Sequence, residues 1–226
     1  MMHKKQFMIS SLLAIMCVAW INTKSFAEPA NLANHKTEIK QYYTSGEYVN
    51  ELNSIAQQAS NKIIHAVQAN ARNNLHQKLA IVLDIDETSL SNYKRMVKRD
   101  FAISHKAIDQ DVLAAEALAI QPIYNLYKQA LAHNVAVFFI SGRAESFRVA
   151  TETNLVKAGY VNWRGLYLKP NEYKNTSNIP FKSKTRALIE SKGYTIVANI
   201  GDQISDLTGG HSLNSYKLPN ACYFVA

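Results

Sequence analysis

Cysteine is scarce in this sequence: 226 residues hold only Cys17 and Cys222. That excludes a small disulfide-stapled domain. Five prolines and eight glycines are too few for a collagen-like or linker-dominated chain. Internal repeats and low-complexity segments are absent as well. Basic residues outnumber acidic ones by 25 to 17, yet no Lys/Arg run reaches five residues. The formal +8 therefore reads as a dispersed, solvated basic surface, and no nucleic-acid partner is expected. The histidines are scattered without metal-ligand spacing. What is present is a globular composition, 47% hydrophobic, at a length suited to one α/β domain with at most a small insertion.

The N-terminus reads as a secretory signal, residues 1–27. Lys4 and Lys5 make a basic start, 7–21 is apolar apart from two serines, and Ser25-Phe26-Ala27 is a small-x-small cleavage site. The apolar core is too short for a comfortable membrane span. Cys17 follows Met16 in mid-core, so no lipid anchor is expected. Cleavage would remove Lys4, Lys5 and Lys24 and no acid, lowering the charge to +5 and leaving Cys222 alone, so that packing must carry stability without a disulfide. Asn175-Thr176-Ser177 is a glycosylation sequence, relevant only in a eukaryotic secretory route.

Residues 28–46 are polar and read as a loosely attached lead-in. From Glu47 to Leu75, apolar residues recur at threes and fours, predicting one long amphipathic helix or a broken pair. Five apolar runs then read as strands: 79–83, 135–140, 165–168, 195–200 and 222–225. Helical patterns fall at 122–132, 145–158 and 183–192, the last two stopping at Gly159 and Gly193. This alternation predicts a doubly wound parallel sheet, order 3-2-1-4-5, with helices on both faces and residues 28–226 as one domain. The stretch between the first two strands is too long for a tight crossover, so about 92–121 is expected to form a small cap. Its mixture of Tyr93, Met96, Phe101, Ile103, Leu113 and Leu118 with Lys94, Arg95, Lys98 and Arg99 suits helix packing with a basic outer face better than closure over an aromatic or nucleoside group.

In this sheet order the first, second and fourth strands are neighbours, and ligands bind beyond their C-terminal ends. Asp84, Ser141 and Asp202 sit there. Within Leu83-Asp84-Ile85-Asp86-Glu87-Thr88, Asp84 is a candidate carboxylate nucleophile, and Asp86 a candidate general acid and base. Attack by a carboxylate on a dianionic phosphate requires charge neutralisation. Mg²⁺, a hard cation taking oxygen ligands, would supply it, with Asp202 as the second carboxylate and Asp206 as an outer or water-mediated ligand. Gly201 allows close approach. Ser141-Gly142-Arg143 reads as a strand-to-helix turn whose hydroxyl and free N–H groups suit phosphate. In Phe181-Lys182-Ser183-Lys184-Thr185-Arg186, one basic residue should reach the crevice; spacing leaves Lys182, Lys184 and Arg186 open, the other two being solvated.

Together, Asp84-x-Asp86-x-Thr88, Ser141, Lys182 and Gly201-Asp202…Asp206 resemble the four motifs of the haloacid dehalogenase (HAD) superfamily. The words LDIDETSLSNY, FFISGR, NLVKAGY, FKSKTR, GYTIVANIGDQISDLTGG and YKLPNACYFVA resemble its subfamily IIIB acid phosphatases, which include plant vegetative storage proteins and bacterial secreted enzymes. The likeness runs from about Tyr42 to Ala226. It implies Asp84 as nucleophile, Asp86 as acid/base, and Ser141 and Lys182 as phosphate binders. It also implies Mg²⁺ on the Asp84 carboxylate, the Asp86 backbone carbonyl and Asp202, and it selects Lys182 over Lys184. Storage-type relatives can lack the nucleophile; Asp84 is present here.

The expected activity is that of an exported, periplasmic or secreted, Mg²⁺-dependent phosphatase acting on small phosphomonoesters, nucleotides among them, through an aspartyl-phosphate. The alternative is a storage or binding protein of the same fold with little turnover. No stable membrane anchor is expected, and association into a homo-oligomer is compatible with the sequence. The cleavage signal predicts a mature N-terminus at Glu28; intact-mass measurement of the exported protein tests this, and retention of Met1 would refute it.

Overall fold

The computed structural model describes residues 31–174 and 177–225. The expected signal segment, and Asn175 and Thr176 of the glycosylation sequence, lie outside them. The described residues open with α1 (Leu32–Thr44) and α2 (Glu47–Arg72), followed by β1 (Lys78–Leu83). Next come β2 (Leu90–Ser91), α3 (Tyr93–Lys98), α4 (His105–Ala114) and β3 (Leu118–Ala119). Then follow α5 (Gln121–Ala132), β4 (Ala136–Ala144), α6 (Arg148–Lys157) and β5 (Gly165–Lys169). The last elements are α7 (Ile179–Ser191), β6 (Tyr194–Gly201), α8 (Ile204–Leu207) and β7 (Ser215–Lys217). No helix among the described residues is long and apolar enough to cross a membrane.

Five parallel strands form the sheet in the order β5-β4-β1-β6-β7, the doubly wound arrangement expected. Successive side chains of a strand point to opposite faces, and both faces here are covered, which is why the strands read as unbroken apolar runs. Ile81, Leu83, Val137, Phe139 and Val197 join Leu52, Ile63, Ile123 and Leu126 of α2 and α5 in the larger core. Ala80, Val82, Phe138, Ile140 and Ile196 face the other way and pack with Ile189 of α7.

Two expectations about the chain ends are corrected. The lead-in is not loose, because Leu32–Thr44 is a helix. None of its residues is fully buried, but Tyr42 and Tyr43 in its last turns pack on the core, and Tyr43 stacks on Tyr93 at 3.9 Å. One aromatic turn docks a helix whose remainder is polar, and that gives too weak a period to read. The fifth strand is Ser215–Lys217, not 222–225. It pairs with Asn199–Gly201, the next residue donates Leu218 N–H to Gly201 O at 2.9 Å, and Leu218 is wholly buried. Residues 222–225 instead cross over the loops at the strand ends, with Phe224 74% exposed.

The stretch expected as a cap leaves through β2 and returns through β3. The two pair antiparallel, Leu90 with Ala119 and Ser91 with Leu118. Arg95 and Arg99 both bind Asp111, tying α3 to α4, and Arg95 also reaches Glu116 at 2.7 Å. Half of the segment's clustered basic residues are thus partnered inside it. Its attachment to the body combines apolar contacts, Leu90 and Ala117 in the core and Tyr93 on Tyr43, with a polar clamp. Asn154, buried in α6, accepts from Ala117 N at 3.1 Å and donates to Ala117 O at 2.7 Å, while Tyr160 Oη donates to Ser89 O at 2.9 Å. Asn154→Ala would strand a buried amide and a buried carbonyl. It is expected to cost about 2–4 kcal/mol, read as a lower urea midpoint at unchanged slope; an unchanged midpoint would show that the clamp is not needed.

Candidate active site

Register brings the expected residues to one edge. Leu83 pairs with both Phe139 and Ile200, so Asp84 lies level with Ile140 and Gly201, with Ser141 and Asp202 one residue further on. Asp84 N–H still donates to Ile200 O at 3.0 Å, and Ser89 Oγ grips the Asp84 carbonyl at 2.6 Å. A buried side chain at this point can only face the other strand ends.

Asp84, Asp202 and Asp206 converge so that one carboxylate oxygen of each lies within 4.8 Å of the others, and all three residues are buried. Lys182 is the ammonium among them. Its Nζ donates to Asp84 Oδ1 at 2.6 Å and also to Asp206 Oδ1. Burial alone would lower the Lys182 pKa, but Asp84 and Asp206 together outweigh it and hold it above the usual lysine range. Burial, then the Asp206 charge, push Asp84 well above the usual carboxylate range against the pull of Lys182. Asp202 is raised too, by burial and Asp206, against hydrogen bonds from Asn220 at 2.8 Å and Gln203 at 2.5 Å. Thr88 Oγ1 donates to its other oxygen at 3.1 Å. Three buried carboxylates share one ammonium, and the donors are all hard oxygen. This set fits a divalent cation.

One glycine and one arginine make the cluster possible. A Cβ on Gly201 would overlap the Asp206 side chain, so only glycine lets that carboxylate sit against the end of β6. Asp206 lies in α8 and its Oδ2 accepts from Gln203 N at 2.8 Å, reaching back to the start of the helix. Arg186 is fully buried and donates to the carbonyls of Asp206, Thr208 and Gly210 at 2.7, 2.5 and 2.7 Å, which holds the loop after β6. This corrects the expectation that it is solvated; Lys184 is exposed, as expected of one of the three. Lys182 lies inside the first turns of α7 rather than before the helix.

The turn expected at 141–143 is also corrected. β4 continues to Ala144, with a shift in register against β5 between Ser141 and Ala144, and α6 starts only at Arg148. The helical stretch begins only at Glu145, as a short 3-10 turn that leads into α6, so Ser141–Arg143 are strand. Ser141 is buried, with its Oγ accepting from Arg143 N at 3.2 Å. Gly142 faces Asn178, whose Nδ2 would lie 2.8 Å from a Cβ.

Asp86 stands beside this cluster, more exposed than its neighbours. Arg143 Nη2 and Nε grip its two oxygens at 2.7 and 2.9 Å, and Asn92 Nδ2 donates at 2.8 Å. Burial would raise its pKa, but the Arg143 charge and hydrogen bonds, with Asn92, outweigh it and keep the carboxyl below the usual range. Sequence reasoning gave no role to Arg143, Thr88, Asn92, Asn220 or Tyr223. The signal was their presence in the words that carry the family resemblance.

A model of the HAD superfamily, subfamily IIIB (acid phosphatase), matches residues 4–226. The chain belongs to this family. It is 35% identical over 157 residues to the stem 28 kDa glycoprotein of Glycine max, covering 67% of this chain and 62% of that one. It is 33% identical over 148 residues to acid phosphatase 1 of Solanum lycopersicum, covering 64% and 58%. Vegetative storage protein 1 of Arabidopsis thaliana is 33% identical over 148 residues, covering 64% and 54%. The chain thus spans somewhat over half the length of these curated relatives. Among solved structures, the class C acid phosphatase from Bacillus anthracis superposes with a TM-score of 0.66 at 24% identity, covering 85% of this chain and 86% of that one. The same enzyme solved with tungstate bound gives 0.64, with the same identity and coverage. At that identity the likeness is one of fold.

Glu87 has no place in the expected chemistry, yet it is buried between Asn92 N at 2.6 Å and Tyr223 Oη at 2.7 Å. Burial, then the Asp86 charge, raise its pKa from 4.5 to about 8. Between those values the unfolded chain has already given up the proton that the folded chain keeps. The stability from this group is therefore complete below about pH 4.5 and is lost as pH rises through about 8. Glu87→Gln removes that titration. In chelator, urea unfolding across this range is expected to show the wild type losing several kcal/mol more than the variant. Parallel pH profiles would contradict it.

Proposed function

We propose that this chain is a Mg²⁺-dependent phosphomonoesterase working through an aspartyl-phosphate on Asp84. The observation that carries the reading is a buried Asp84 at the end of β1, 2.6 Å from Lys182 and grouped with Asp202 and Asp206, with Asp86 two residues on. Family membership and the name of the tomato relative support it. The Bacillus anthracis enzyme holds tungstate, an oxyanion of phosphate's shape. Here Ser141, the Gly142 backbone and Lys182 would bind the phosphoryl oxygens.

Asp84 attacks phosphorus as the bond to the leaving oxygen breaks, and Asp86 gives that oxygen a proton. Asp86 then takes a proton from water, whose oxygen attacks the phosphoryl group and frees Asp84 and inorganic phosphate. Arg143 favours the carboxylate form of Asp86, so its grip favours the second step, and Asp86 must gain a proton before the first. Lys182 keeps Asp84 oriented and balances charge. Mg²⁺, held by the Asp84 and Asp202 carboxylates and the Asp86 carbonyl with Asp206 outside, would neutralise phosphate oxygens when bound.

The substrates are small phosphomonoesters, nucleotides included, and the segment near 92–121 is the cap. The signal pattern and the glycoprotein names of relatives support an exported, periplasmic or secreted chain. Likeness to vegetative storage protein 1 favours a second reading, a storage protein of negligible turnover.

Rapid-quench labelling with a phosphomonoester of good leaving group tests these roles. Asp84→Asn is expected to take no label. Asp86→Asn is expected to accumulate phosphate on Asp84 while turnover falls by roughly 10²–10⁴. Chelator should abolish turnover and Mg²⁺ restore it. Label on Ser141 or a histidine would refute the nucleophile, full turnover in chelator would refute the metal, and absence of label and turnover from the wild type would favour storage.

A further inference from the structure

Beside the proposed chemistry, a buried polar network runs from Tyr223 to Asp86. Glu87 is 1% exposed and has φ 53°, a left-handed conformation that costs a non-glycine residue. The turn is closed by Glu87 N donating to Leu90 O at 2.8 Å. It carries the carboxyl to Asn92 and Tyr223. Oε1 accepts from Asn92 N at 2.6 Å, and Oε2 from Tyr223 Oη at 2.7 Å. The Asn92 amide then spans the two acids, donating to Asp86 Oδ1 at 2.8 Å and to Glu87 Oε2 at 3.4 Å. Tyr223, Glu87, Asn92 and Asp86 thus form one hydrogen-bonded chain.

Its far end is anchored. Asn220 Oδ1 accepts from Cys222 N at 2.8 Å and Tyr223 N at 3.3 Å, while its Nδ2 donates to Asp202. Val225 N donates to Gln203 Oε1 at 2.9 Å. Residues 220–225 therefore touch both the loop after β1 and the loop after β6. The near end is the least enclosed carboxyl of the site, the Asp86 side chain being 28% exposed. Arg143 grips both Asp86 oxygens and so fixes the plane of the carboxyl. Asn92 is the second donor to Oδ1, and Glu87 and Tyr223 decide where Asn92 points.

We propose that Tyr223 is a positioning residue for Asp86, acting through Glu87 and Asn92. The C-terminal segment then sets the aim of the acid/base carboxyl. This rests on the acid/base role proposed for Asp86.

Tyr223→Phe removes one oxygen and keeps the ring. With active sites counted by the rapid-quench burst, kcat for a substrate of good leaving group is expected to fall about tenfold, since water attack depends on the aim of Asp86. kcat/KM, which covers only the steps through phosphoryl transfer, should hardly change, and the fraction of enzyme held as phosphoenzyme should rise. In an Asp86→Asn background the same substitution should cost nothing more. Equal loss in both backgrounds, equal loss of kcat and kcat/KM, or no loss per counted site would overturn the proposal. If Asp86→Asn alone leaves turnover and phosphoenzyme unchanged, the acid/base reading itself falls, and the proposal with it.

Discussion

The buried Lys182 ammonium between Asp84 and Asp206 is the interaction on which the rest of this site depends. Two carboxylates with a third nearby repel strongly where water is scarce, and an unpaired buried charge costs several kcal/mol. The ammonium makes the grouping tolerable, and it comes from α7 on the far side of the sheet from α2 and α5. Three stretches distant in sequence are therefore locked together: the end of β1, the start of α7, and the β6–α8 turn. Removing Lys182 would leave the acids to relieve one another by protonation, which suits neither an attacking carboxylate nor a cation site.

A partial shortage of positive charge is built in. Lys182 serves two acids directly, Arg143 is committed to Asp86, and Arg186 spends its donors on backbone carbonyls. Asp202 is supported by neutral donors only among its hydrogen bonds, from Thr88, Gln203 and Asn220. Such a cluster could hold a divalent cation, since its donors are oxygens and fixed positive charge falls short of the acids it faces.

Much of this was legible in the sequence. The strands announced themselves because burial on both faces requires apolar residues at every position, and strand ends can be read from the first charge that follows. Asp84 and Asp202 were found in this way. Lys182 was selected by family resemblance, since spacing treated it and Arg186 alike, and only packing distinguishes an ammonium that meets carboxylates from a guanidinium that meets carbonyls. The helix at Leu32–Thr44 was hidden because one aromatic turn docks it, and the strand at Ser215–Lys217 because three residues are too few for a pattern to show. Arg143 and Tyr223 were hidden for a different reason. Their partners lie 57 and 136 positions away, and hydrogen bonds leave no period.

The β2–β3 pair carries a consequence for how such a protein can change. Leu90 and Ala119 face each other across a ladder, so the residues between them leave the body and return at the same place. The intervening chain is a side branch, and the main sheet never threads through it. The entropy of closing such a branch grows only slowly with its length. Residues of the branch beyond Asn92 and before Ala117 can therefore be shortened, lengthened or exchanged for another fold whose ends lie close together, while Asp84, Asn92, Ser141, Lys182 and Asp202 stay in place. The buried cluster and the outer part of the branch are free to diverge at different rates.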